Sequence, residues 1–64
     1  MIGGDLMKNL RAFDHAKKFN RANPLKRREL EELISSGMLR PNGISVEVTQ
    51  AGRTAIEEYA RLYG

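Results

Sequence analysis

Asn23-Pro24-Leu25-Lys26-Arg27-Arg28-Glu29-Leu30-Glu31-Glu32-Leu33-Ile34-Ser35-Ser36-Gly37 spells a helix with both of its ends marked. Asn followed by Pro has the order of an N-cap and a first helical residue, where the missing N–H costs nothing and φ is pre-set. From 24 to about 36, Leu30, Leu33 and Ile34 recur at i, i+3 and i+4 and face inward. The outward face then carries Leu25, Arg28, Glu29, Glu31, Glu32, Ser35 and Ser36. Gly37 follows as the left-handed residue that closes the helix. Next come Met38-Leu39-Arg40-Pro41, then Asn42-Gly43, then Ile44-Ser45-Val46-Glu47-Val48. Asn-Gly is the favoured pair for a two-residue type I′ hairpin turn, because both positions need positive φ. Ile44, Val46 and Val48 alternate with polar residues as in a half-buried strand. Pro41 cannot donate to a ladder, so the first strand is short.

Two further helices flank this centre. Asp5 can cap a helix running from Leu6, with Leu6, Leu10 and Phe13 at i, i+4 and i+7 and Ala12, Ala16 and Phe19 beside them. Phe13 and Phe19 are both read as core. Lys8, Arg11, His15 and Lys18 occupy the opposite side. Periodicity alone does not decide between one long helix and two broken near 12–14. Residues 20–24 are a break, and Gly3-Gly4 reads as a mobile start. Thr49 caps a last helix through about Tyr63, with Ile56, Tyr59, Ala60 and Tyr63 on one side and Ala55 and Leu62 adjoining. Gly52 is a close-packing or helix-start position.

Sixty-four residues make one small domain, with 41% apolar and 30% charged side chains and no Cys. A chain this size buries only about 60% of its unfolded surface, which leaves little volume for a substrate cleft, and without Cys there is neither a disulfide framework nor a thiolate metal cage. The charge is segregated. Residues 8–28 hold eight Lys or Arg against the single Asp14, a net +7, whereas 29–64 hold three Arg against six Glu, a net −3. A basic half suggests a polyanionic partner. No Gly-rich phosphate loop, metal-ligand spacing or nucleophile motif is present. His15 does not face Asp14 across adjacent helical positions, so the pair is not a general-base arrangement. No enzymatic activity, cofactor or metal is expected. No apolar run approaches the roughly 20 residues of a membrane span, and the first residues lack a signal-peptide pattern; a cytoplasmic location is the expectation.

Leu30-Glu31-Glu32-Leu33-Ile34-Ser35-Ser36-Gly37-Met38-Leu39, the Asn42-Gly43 hairpin and Val48-Thr49-Gln50-Ala51-Gly52-Arg53 together resemble the winged helix-turn-helix superfamily. They look like the pattern that ends a recognition helix, followed by a wing and a Thr-x-x-Gly helix start. Ala16, Asn20 and Leu25 are compatible with the first helix, a tight turn and the recognition helix, so the likeness covers roughly 12–62. It implies a mainly α fold with a small β-hairpin, of three to four helices plus a two-stranded wing. It also implies binding to double-stranded DNA, with the 24–36 helix in the major groove. Lys26, Arg27 and Arg28 then lie where the helix dipole already favours phosphate. Arg40 stands beside the 40–44 wing, and Lys17, Lys18 and Arg21 flank the duplex near the turn. The expected role is a small regulator of transcription or replication.

Opposing features point to a second class. Glu29, Glu31 and Glu32 would repel phosphate, and Arg27 and Arg28 can pair with Glu31 at i+4 and i+3, although such pairs contribute only about 0.2–0.5 kcal/mol. A protein-interaction module on the same fold, an inhibitor or adaptor docking on a protein partner, is the alternative. Tyr59, Leu62 and Tyr63 either finish the core or form a self-complementary patch that makes a homodimer.

Overall fold

In the computed structural model, which describes residues 4–63, helices α1 (Gly4–Lys18), α2 (Arg27–Ser35) and α3 (Gln50–Tyr63) surround a hairpin of β1 (Leu39–Asn42) and β2 (Ser45–Val48). The mainly α architecture with a two-stranded antiparallel sheet follows the expectation. The core is Met7, Leu10 and Phe13 of α1 with Leu33 of α2 and Leu39 of β1. Leu10 and Leu33 are fully buried. α1 packs on both other helices, β1 on α2, and β2 on α3.

α1 is one continuous helix through 12–14. Gly4 and Asp5 already belong to it, so Asp5 lies inside the first turn instead of capping from outside. Gly3 falls outside the described residues. The helix stops by a left-handed device that centres on Asn20, at φ 55°. The Arg21 N–H donates to the Ala16 carbonyl at 2.7 Å and the Asn20 N–H to the Lys17 carbonyl at 3.2 Å. This paired closure satisfies the last carbonyls of the helix. Phe19 lies just beyond the last helical residue, 58% exposed, with its ring 4.6 Å from that of His15. It is therefore not a core residue: the chain has left the helical path that would have turned it inward.

α2 begins three residues later than the Asn-Pro order predicts. The Asn23 side chain accepts from the Leu25 N–H at 2.9 Å and so closes a local turn, a conformation that Asx residues offer in competition with a helix N-cap. The helix start is set by Glu29, whose carboxylate accepts from the Lys26 N–H at 2.8 Å. Residues 19–26 thus form an eight-residue connection, longer than the three- to four-residue turn of a helix-turn-helix pair. Leu25, expected to face outward, is half-buried and packs against the core. At the other end Gly37 adopts φ 83°. Its N–H donates to the Ile34 carbonyl and that of Met38 to the Leu33 carbonyl, both at 3.0 Å. That is the expected C-terminal closure.

The hairpin turn is displaced by one residue. Asn42 pairs with Ser45 and Leu39 with Val48, so the two connecting residues are Gly43 and Ile44 rather than Asn42 and Gly43. Gly43 has φ 65° while Ile44 stays in the ordinary negative range. This excludes type I′ and fits the type with glycine first. The observed register sets Arg40 opposite Glu47, a cross-strand pair of opposite charges. Ile44 leaves the strand and is fully exposed, whereas Val46 and Val48 remain half-buried as expected.

Thr49 caps α3. Its hydroxyl oxygen accepts from the Gly52 N–H at 3.0 Å while its O–H donates to the Gly37 carbonyl at 2.6 Å. A Cβ at Gly52 would stand 2.3 Å from the Met38 carbonyl oxygen. Ala55, Ile56 and Tyr59 pack on the core, but Ala60 and Tyr63, read as part of the same stripe, are exposed because the helix runs past the end of it. Among the described residues no helix is long and apolar enough to cross a membrane.

Candidate nucleic-acid interface

The end of α1, its connection to α2 and the hairpin enclose an open cleft of about 440 Å³. Phe13, Ala16, Leu30 and Val46 supply an apolar floor; Lys17, Arg21, Asn20 and Asn23 contribute polar groups, and Ile44 and Ser45 form the hairpin side. Among the described residues that line it there is no carboxylate. The closure at Asn20 puts Arg21 here, reversing the chain so that Arg21 borders the same cleft as Lys17. Lys17 also sits near the Phe13 ring, 5.9 Å from its centroid.

The other cations predicted for DNA divide into four groups. Lys26 is exposed at the start of α2 and, like Lys17 and Arg21, has no carboxylate within 4.0 Å among the described residues. Arg27 and Arg28 are exposed but loosely paired along their own helix, Arg27 with Glu31 at 3.8 Å and Arg28 with Glu32 at 4.0 Å. The partner of Arg28 is thus Glu32 rather than Glu31. Both pairs are more than half exposed, so they hold the arginines only weakly. Arg40 forms an ion pair and hydrogen bond with Glu47, to which the Asn42 amide also donates at 3.3 Å. The Arg40 hydrogen bond is the first cause holding the Glu47 carboxyl below its ordinary value; desolvation acts the other way, and the charge of Arg40, the Asn42 bond and the charge of Lys17 reinforce the lowering.

Lys18 does not join this cleft. With Lys8, Arg11 and His15 it lines a second groove, between α1 and α3, that also contains Asp14 and Ile56. Arg11 lies over the Tyr59 ring at 4.4 Å, and Asp14 pairs with Arg53 at 3.7 Å. Successive helical residues point about 100° apart, which is why Lys17 and Lys18 serve different faces. Tyr59 is half-buried against the core with its ring 4.9 Å from Tyr63, while Leu62 and Tyr63 are exposed. Sequence reasoning missed Asn20, Asn23 and Ile44 as members of the cleft. A signal existed for Asn20, since asparagine is the residue besides glycine that tolerates a left-handed helix end.

Comparison with protein-family models, with curated proteins and with solved structures finds no match. Among the described residues no three His, Cys, Asp or Glu side chains group as a metal site. What the cleft can do chemically follows from its own lining: it attracts anions, offers amide hydrogen bonds, and accepts an apolar or stacked surface on its floor.

Proposed function

We propose that this protein is a small, non-enzymatic DNA-binding protein of winged-helix type, a regulator of transcription or replication. It contacts duplex DNA with α2 and the hairpin wing. The observation that carries the reading is the cleft where Lys17 and Arg21 meet the hairpin, with no carboxylate among its described lining residues. Lys26 extends the cationic surface at the start of α2, and the weak Arg27 and Arg28 pairs yield to phosphate because each contributes only about 0.2–0.5 kcal/mol. Backbone contact releases counterions, which makes affinity steeply salt-dependent.

A fluorescence-anisotropy titration of a labelled 20-base-pair duplex across a salt series tests this. Contacts from Lys17, Arg21, Lys26, Arg27 and Arg28 predict a logarithmic salt slope of about −4 to −5. The Lys17→Gln/Arg21→Gln variant is expected to flatten it by about two. A folded wild-type protein that shows no saturable binding at low salt overturns the reading. That outcome favours a protein-interaction module instead, for which the observation is the pairing of Glu31 and Glu32 with the arginines, leaving the outer face of α2 nearly neutral.

A further inference from the structure

Ile44 is the least expected residue of the hairpin. It occupies the second position of the turn at 108% relative exposure, the highest among the exposed large apolar side chains of the described residues. Turn chemistry favours Asn, Asp or Ser after a leading glycine, and a β-branched apolar side chain gains nothing from water. Phe19, Leu62 and Tyr63 are exposed at helix ends, but Ile44 projects from the tip of a ribbon. Of β1 only Leu39 is buried, and Arg40, Pro41, Asn42 and Ser45 are all exposed; Val46, opposite Pro41, packs against the core, so the ribbon stands clear of the body from the Asn42–Ser45 pair outward. What projects beyond the Asn42–Ser45 pair is the turn itself, so the Ile44 side chain is the part presented to a groove. Only residues 36–38 separate α2 from the ribbon, so α2 in a major groove brings the tip over the groove next to it. Ile44 also borders the cleft that holds Lys17 and Arg21, so an apolar point stands beside cations in a cleft whose described lining has no carboxylate.

We propose that Ile44 is a wedge that enters the minor groove, partly unstacks one base step and kinks the duplex, while Lys17 and Arg21 neutralise phosphates that line the opened groove. This inference rests on the DNA-binding reading above. An undeformed minor groove is about 6 Å wide, narrower than a two-stranded ribbon with its side chains, so the tip enters only as the groove opens. Opening by an apolar wedge bends DNA toward the major groove.

The test uses the full chain and a 20-base-pair duplex carrying a donor at one end and an acceptor at the other. Saturating wild-type protein is expected to raise energy transfer. Ile44→Thr keeps the branched shape, suits the turn and removes the apolar contact. It is expected to fold normally by circular dichroism, to bind about tenfold more weakly, and to leave energy transfer near that of free DNA at saturation. Ile44→Phe is expected to retain the bend. Saturable binding by wild type without a rise in energy transfer, or an Ile44→Thr complex bent as much as wild type, overturns the wedge but leaves the DNA-binding reading standing. Absence of saturable binding overturns both.

Discussion

Gly52 shows how one position can join two elements. Its N–H meets the Thr49 hydroxyl, and its missing side chain lets the Met38 carbonyl approach to where a Cβ would be 2.3 Å away. Alanine is ordinarily the better helix former by roughly 1 kcal/mol. Here the obstacle is backbone, with Val48 Cγ1 a further 2.9 Å contact, so relief requires the hairpin root and α3 to move apart. Gly52→Ala is therefore expected to destabilise the protein by about 1–3 kcal/mol, lowering the thermal midpoint by roughly 4–8 °C for each kcal/mol. An unchanged or raised midpoint in a thermal melt would show that this contact relaxes freely. The Thr-x-x-Gly pattern was visible beforehand, and both offered roles of Gly52, packing and helix start, operate together. Asn23 was visible too, but its side chain has more than one backbone N–H within reach. It took the one two residues on, leaving Glu29 to start the helix.

At the scale of elements, the register of the hairpin brings two opposite charges together. Arg40 and Glu47 face each other across the strands, and the lowered Glu47 carboxyl has a definite sign for stability. Its contribution is present above the ordinary carboxylate value of 4.5 and is lost as pH falls through the depressed folded value. Chemical denaturation of wild type and Glu47→Gln from about pH 5 downward is expected to show the wild type losing more stability on acidification. Parallel curves for the two proteins would mean that the pair contributes nothing to the fold. In the DNA-binding reading the same substitution releases Arg40, so duplex affinity rises. Turn chemistry alone named Asn42 and Gly43. The pairing instead slides two residues along β2, which keeps Val46 and Val48 inward, puts the two opposite charges face to face and leaves only Ile44 outside.

For the whole molecule, the core is small. Among the described residues its largest fully buried side chains are Leu10, Leu33 and Leu39, one each from α1, α2 and β1, while α3 closes it with half-buried residues and the Asp14–Arg53 and Arg11–Tyr59 contacts. A domain of this size holds only about 3–5 kcal/mol of net stability, and truncating a buried leucine costs about 2–5 kcal/mol. Leu10→Ala is thus expected to be largely unfolded at 25 °C, seen as loss of helical circular dichroism. A cooperative melt close to that of the wild type would imply stability well beyond what this core supplies.

The helical periods, the glycine that closes α2, the threonine that starts α3 and the basic first half were all legible in the residues, because each depends on neighbours within about one helical turn. Which cations share a surface was not. Lys17 and Arg21 meet across a reversed helix end, Lys18 turns to α3 and Arg40 finds Glu47 on the facing strand. Those placements depend on the packing of separated segments, where a difference of 100° round a helix or a two-residue slide along a strand changes every partner of a side chain, and local sequence carries no measure of either.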